Sequence, residues 1–119
     1  MRRTLIITVT LLVAALSLTA CSEDTPSDGS GGSGTTVDIT VKDGTVTPSG
    51  DRVKVKTGEP VTLNIDADVA GEIHVHSTPE QEIEFDKGTS TKELTIDQPG
   101  IVDVEDHALE QVIVQLEVS

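Results

Sequence analysis

Apolar and polar residues alternate one by one in short runs between residues 37 and 118. In the first run, Val37, Ile39 and Val41 are separated by Asp38 and Thr40. Such a period of two places one side of a β-strand in a core and the other side in solvent. Apolar residues recur at this spacing at Val53 and Val55; Val61, Leu63 and Ile65; Ile73 and Val75; Ile83 and Phe85; Leu94 and Ile96; Val102 and Val104; and Val112, Val114, Leu116 and Val118.

Turn-forming residues separate these runs, and no stretch of ten residues has a helical period. The turn segments are 43–44, 48–51, 58–60, 70–71, 87–88 and 99–100. About eight short strands, each with one apolar face, predict an all-β fold, specifically an antiparallel β-sandwich. With one Phe and no Trp or Tyr, its core must consist of small aliphatic side chains.

The N-terminal segment has the pattern of an export signal. Arg2 and Arg3 precede an apolar run at residues 5–16, which is too short to span a bilayer and has the length of a signal-peptide core. The sequence Leu-Thr-Ala-Cys at residues 18–21 resembles the lipobox of bacterial lipoproteins. We therefore expect residues 1–20 to be a lipoprotein signal peptide and Cys21 to carry lipid that anchors the protein extracytoplasmically to the cell membrane.

Residues 21–35 contain Ser, Gly and Asp but no large apolar residue, so we expect a flexible tether after the lipidated Cys21. The folded domain is then predicted at residues 36–119. Removal of residues 1–20 would leave 6 Lys and Arg against 21 Asp and Glu, a side-chain charge of −15. Anionic lipid headgroups would repel such a domain, which should stand away from the membrane surface.

The composition excludes nucleic acid as a partner, and the motifs give no support to an enzymatic function. A net charge of −13 with almost no aromatic residues is incompatible with binding to nucleic acid. The single Cys leaves no internal disulfide and no thiolate zinc cage. Neither a nucleophile elbow nor a Gly-rich phosphate loop occurs, so we expect the protein not to be an enzyme.

Three histidines are the best candidates for chemistry. His74 and His76 are two residues apart on a predicted strand, so both should lie on its outer face about 6.6 Å apart. His107 follows the penultimate strand, and at one end of the barrel it could meet the pair and complete a metal site. Oxygen ligands could come from Glu72, Glu105 or Asp106. The alternative is that these are three surface histidines without a function.

Several segments resemble cupredoxin-like domains, in particular those of small secreted bacterial proteins related to the cupredoxin-like domain of periplasmic iron-uptake components. These segments are residues 37–48, 53–65, 72–76, 98–107 and 112–118. The resemblance implies a Greek-key sandwich of the cupredoxin type. It also implies that either His74 or His76 corresponds to the first copper ligand, and that His107 corresponds to the later His.

The sequence departs from the blue-copper pattern at the decisive positions. A blue-copper site needs a Cys thiolate and usually a weak axial Met near the later His. Here Glu105 and Asp106 precede His107, and no Met follows it. Blue-copper electron transfer is therefore excluded by composition. The remaining site of His and carboxylate groups favours copper, with zinc as the second choice.

We therefore predict a membrane-anchored, extracytoplasmic, cupredoxin-like protein that binds a metal ion through His74, His76 and His107. The alternative function is a non-metal accessory or interaction module of the cell envelope whose cupredoxin site has been lost. Its partner would then be an unidentified envelope protein.

Overall fold

A computed structural model describes residues 34–119, which contain nine β-strands. The strands are β1 (Thr35–Lys42), β2 (Thr45–Thr47), β3 (Asp51–Val55), β4 (Pro60–Ala67), β5 (Gly71–Val75), β6 (Gln81–Phe85), β7 (Gly88–Thr95), β8 (Gly100–Asp106) and β9 (Gln111–Val118). The predicted signal peptide, Cys21 and nearly all of the predicted tether lie outside the described residues. Within residues 34–119, no helix is long and apolar enough to cross a membrane.

The strands form two sheets, which confirms the predicted all-β sandwich. The four-stranded sheet has the order β2-β1-β4-β7, and the five-stranded sheet has the order β3-β9-β8-β5-β6. Pairing is not antiparallel throughout, because β1 runs parallel to β4 and β3 runs parallel to β9. Residue alternation reports which side of a strand is buried and carries no information about the direction of its neighbour, so the sequence could not reveal these parallel pairs.

The strand that the sequence did not predict is β2, which brings the number from about eight to nine. It has three residues, and Val46 is the one that enters the core. One apolar residue between two Thr is too short a pattern to show alternation. Its pairing with β1 across the turn at Asp43 and Gly44 is what makes it a strand.

The core lies between the two sheets and consists almost entirely of Val, Ile and Leu, as the composition predicted. Its buried apolar members are Val37, Ile39, Val41, Val46, Val55, Val61, Leu63, Ile65, Ala67, Ile73, Val75, Phe85, Leu94, Ile96, Val102, Val104, Ile113, Val114, Leu116 and Val118. The single aromatic ring, Phe85, packs over Gly71 at the start of β5. A Cβ at position 71 would lie 2.6 Å from the ring atom Cζ, so any side chain there would displace the ring.

A β-bulge interrupts the pairing of β8 with β9. Val104 is opposite Val114, whereas Glu105 is opposite Val112, so Ile113 is the extra residue. Both Ile113 and Val114 are fully buried, and Val112 is only half-buried. The sequence predicted that Val112 would be buried, which is wrong. The predicted alternation of buried and outward residues is correct from Val114 to Val118.

Candidate metal centre

The three histidines predicted as metal ligands lie on the outer surface of the five-stranded sheet. On β5, Ile73 and Val75 point into the core and are 0% exposed, which leaves His74 between them on the outside. On β8, Val104 and Asp106 face the core in the same way, and Glu105 faces outward. We call the outer surface around β5 the histidine face; its members are Glu72, His74, His76, Glu80, Glu82, Glu84, Glu105 and His107.

Strand register brings these residues together from three neighbouring strands. His74 is opposite Glu82 on β6 and opposite Glu105 on β8. The backbone N–H of His107 donates to the carbonyl of Glu72 at 2.9 Å, which continues the pairing of β8 with β5 beyond the end of β8. His107 therefore lies diagonally across from His74, although the two are far apart in sequence.

The three imidazoles form a row with His74 in the middle. The ring centre of His74 is 5.3 Å from that of His76 and 5.5 Å from that of His107. The structure thus brings all three predicted histidines to one surface. That surface is the outer face of a sheet, with His107 at the point where β8 ends, whereas we had expected a site formed at one end of the barrel.

The spacing of the rings matches that of imidazoles that share an ion. With metal–nitrogen bonds of about 2.0–2.1 Å, two imidazoles on one tetrahedral ion have ring centres about 5 Å apart. Each adjacent pair in the row is close to this value. The rings are therefore near enough for pairwise coordination before any backbone movement.

Carboxylate oxygens contact the ring nitrogens of two of the three imidazoles. The Nε2 atom of His74 is 3.3 Å from Oε1 of Glu82. The Nε2 atom of His76 is 3.0 Å from Oε2 of Glu105, and its Nδ1 atom is 3.7 Å from Oε1 of Glu80.

These contacts turn the Nε2 atoms of His74 and His76 toward opposite neighbouring strands, β6 and β8. Across residues 34–119, no three His, Cys, Asp or Glu side chains converge on a point that could hold a metal ion. The donor types suit Cu(II) or Zn(II), and a metal would have to compete with these carboxylates for the ring nitrogens.

The predicted oxygen ligands have different positions. Glu105 contacts His76, and Glu72 is on β5 beside the row. Asp106 is not brought to the imidazoles, because its side chain lies on the core side of β8 and is 2% exposed. Its Oδ1 atom accepts a hydrogen bond from the backbone N–H of Leu109 at 2.9 Å, which stabilises the turn that begins at His107.

The sequence reasoning did not identify Glu80 and Glu82 as neighbours of the histidines. A signal for the position of Glu82 was present, because two alternating runs separated by a short loop favour a hairpin. Pairing β5 with β6 through that loop places His74 opposite Glu82.

The histidine face has an excess of negative charge. Glu72 and Glu84 are directly opposite each other on β5 and β6, an arrangement that is unfavourable for like charges. The ion pairs that Lys makes in the described residues go to Asp66 and Glu59, which lie elsewhere. A cation bound on this face would relieve the repulsion between its carboxylates.

Comparison with solved structures identifies the fold. A Cu(I) form of an amicyanin mutant has a TM-score of 0.54 and 15% identity, over 75% of this chain and 85% of that one. A purple cupredoxin from Nitrosopumilus maritimus has a TM-score of 0.52 and 18% identity, over 71% of this chain and 99% of that one. No protein-family model and no curated protein matches the sequence. The domain formed by residues 34–119 therefore has a cupredoxin-like fold.

Proposed function

We propose that this protein binds a divalent metal ion on the histidine face, with copper preferred and zinc second. His74 is the central donor, and His76 and His107 are its two neighbouring donors. The observation that carries the proposal is the row of three imidazoles with ring centres 5.3 and 5.5 Å apart. Two separate stretches of chain supply this row: His74 on β5 with His76 directly after it, and His107 directly after β8.

The chemistry of the face supports the same conclusion. Imidazole and carboxylate ligands bind Cu(II) more tightly than the other divalent first-row ions. Glu82 and Glu105 already contact ring nitrogens, so they can orient the rings or supply an oxygen ligand when a metal is bound. The cupredoxin-like fold, shared with an amicyanin mutant in its Cu(I) form, also favours copper. The protein is not a blue-copper electron carrier, because its single Cys is Cys21.

The cellular setting that we propose is the outer side of a membrane, with lipid on Cys21 as the anchor. In the sequence, β1 starts at Thr35, 14 residues after this Cys. A short tether of Ser, Gly and Asp would leave an acidic domain free to sample metal ions near the membrane without binding the headgroups. The protein would then take up or hand over metal outside the cytoplasm.

One observation favours a second function, that of a non-metal accessory module of the cell envelope. Two of the imidazoles already have carboxylate partners, and the described residues contain no convergent group of three metal donors. A face satisfied in this way needs no ion to be stable. Metal titration separates the two functions.

The test is isothermal calorimetry of the full chain, purified in detergent, with Cu(II) and with Zn(II). We expect binding to the unaltered chain, and at least about 100-fold weaker binding to His74→Ala, because even outer-shell partners of a metal are worth 10–100-fold. Glu93→Gln is the matched control, since it removes an exposed carboxylate from the other sheet. Equal heats for His74→Ala and the unaltered chain would eliminate the proposed site, and no heat in any variant would favour the accessory module.

A further inference from the structure

The longest edge strand of the described domain is β7. The edge strands are β2 and β7 in the four-stranded sheet, and β3 and β6 in the five-stranded sheet. β2 has three residues, and β3 and β6 have five each, whereas β7 has eight. A long edge strand offers unpaired N–H and C=O groups to which another strand can bond. Of the four edges, β7 is therefore the one most open to strand addition.

The outward side chains of β7 give little protection against such pairing. They are those of Thr89, Thr91, Glu93 and Thr95. The three Thr are β-branched, which favours an extended strand, and Glu93 is the one charge among the four. At the end of the strand, Nε2 of Gln81 donates to the carbonyl of Thr95 at 3.1 Å. This hydrogen bond occupies a single backbone acceptor, so the rest of the edge needs another form of protection.

Lys92 lies on the inner side of β7, in the middle of the strand. It is opposite Leu63 of β4 and has the same phase as Leu94, so its side chain starts on the core side. Leu63 is 0% exposed and Leu94 is 2% exposed, whereas Lys92 is half-buried. The stem of a Lys packs against apolar atoms while its ammonium group stays in water. Because β4 covers the other side of the strand, this group reaches water past the free edge of β7.

The surroundings of Lys92 show what a further strand would cover. Lys92 lines an open cavity of about 420 Å³ together with Ile83, Glu82 and Glu84 of β6 and Glu72 of β5. It takes part in none of the ion pairs that the described residues make, so water must solvate its ammonium group. A strand added beside β7 would close this cavity and remove that water. Burial of an unpaired charge is strongly unfavourable.

We propose that Lys92 prevents a second copy of this chain from adding its own β7 to the β7 edge. Two copies would otherwise meet through these strands about a two-fold axis, the commonest symmetry of identical chains. An inward-pointing charge on an edge strand is one of the ways in which β-proteins avoid edge-to-edge association. This inference does not depend on whether the histidine face binds a metal ion.

The experiment is sedimentation equilibrium of the full chain in density-matched detergent over a range of protein concentrations. We expect the unaltered chain to stay single, and the protein mass of Lys92→Val to rise at least twofold with concentration. Lys92→Thr, with a smaller side chain, should associate in the same way, and Lys92→Arg, which keeps the charge, should stay single. Lys87→Val is the matched control, because it removes the same charge from an exposed position just before β7. It should also stay single.

Hydrogen exchange measured by mass spectrometry locates the contact. The amides of residues 88–95 should exchange more slowly in assembled Lys92→Val than in the dilute variant, a protection that aggregation through unfolding would not give. The inference is overturned if Lys92→Val and Lys92→Thr stay single, or if Lys87→Val associates equally, because net charge would then be the cause. Assemblies that leave the exchange of residues 88–95 unchanged would also overturn it, since the contact would lie elsewhere.

Discussion

The two outer faces of the sandwich cover the same aliphatic core but differ in how their polar groups are satisfied. We call the outer surface of the four-stranded sheet the threonine face; it is formed by Thr36, Asp38, Thr40, Lys42, Thr62, Asn64, Asp66, Thr89, Thr91 and Glu93. Its polar groups bond to one another across the strands. Asn64 donates to Asp38 at 2.9 Å and accepts from Thr91 at 3.2 Å.

On the histidine face, by contrast, the contacts join carboxylates to imidazoles, whose ring nitrogens can ligate a metal ion. Lys42 and Asp66 form an ion pair of 2.6 Å on the threonine face, whereas Glu82 and Glu105 have His74 and His76 as their partners. The residues that form the threonine face include no imidazole. The histidine face has surplus negative charge and nitrogen donors, so it is the face on which we propose the metal site.

The largest expected difference between the two faces is in how a substitution on each changes the thermal stability that metal adds. Zn(II) at 100 times its dissociation constant should raise the free energy of unfolding by about 2.7 kcal/mol, which is roughly 10–20 °C in melting temperature for a domain of this size. His74→Ala should abolish the shift. Asn64→Ala, at the equivalent outer position of β4, should keep it. Melting curves followed by circular dichroism would measure both, and a shift lost in Asn64→Ala but kept in His74→Ala would reverse our assignment of the faces.

A smaller effect on the free energy of unfolding is expected for Asp106, the buried carboxylate beneath the histidine face. Asp106→Ala removes the acceptor for the N–H of Leu109, and should lower the free energy of unfolding by about 1–3 kcal/mol. Asp106→Asn keeps an oxygen at the same place, and should lose less. Urea unfolding measures the difference. If the two variants were equally unstable, the hydrogen bond to Leu109 would not be what stabilises the turn at His107.

Glu105→Gln tests whether a carboxylate on the histidine face contributes to metal affinity. The substitution keeps the length of the side chain and removes the charge beside Nε2 of His76. We expect metal binding to weaken about tenfold, as for the loss of an outer-shell partner. Glu93→Gln on the threonine face should leave the affinity unchanged. Calorimetry with Cu(II) compares the two, and an equal loss in both would mean that only the overall charge matters.

The smallest effect concerns pH and the threonine face. A hydrogen bond from Lys42 to Asp66, together with the charge of Asp66, raises the pKa of Lys42 above its ordinary value of 10.5. A raised pKa means that the ion pair stabilises the fold below the ordinary value and that this contribution is lost as pH rises through the raised one. Lys42→Gln should be slightly less stable than the unaltered chain at about pH 8, and the difference should be smaller at about pH 11. Denaturant unfolding at the two pH values tests this, and a gap that widens with pH would contradict it.

The sequence predicted the sandwich and the outward position of His74 because both depend on alternation along single strands. His74 between Ile73 and Val75 had to face outward once β5 was buried on its other side. Features that depend on two strands at once were missed. The parallel pair of β1 with β4, the bulge at Ile113 and the contact of Glu82 with His74 are set by register, which the sequence of a single strand does not contain.

Asp106 is a case in which alternation along a single strand was not applied to the strand's last residue. It was taken with Glu105 as a candidate oxygen ligand, because the two are adjacent in sequence and precede His107. Adjacent residues on a strand face opposite sides, so one of the two had to face the core. Asp106 has the same phase as Val102 and Val104, so the alternation of β8 already indicated that Asp106 was the buried one, and the structure shows it 2% exposed.

Proton NMR of the full chain during Cu(II) addition would test most directly whether the histidine face binds metal. The chain has three His, one Phe and no Trp or Tyr, so the imidazole protons are almost alone in the aromatic region. We predict that Cu(II) below one ion per chain broadens the signals of His74, His76 and His107, while the methyl signals of the threonine face stay sharp. Imidazole signals that remain sharp at one ion per chain, or threonine methyl signals that broaden at the same ratio, would contradict the account.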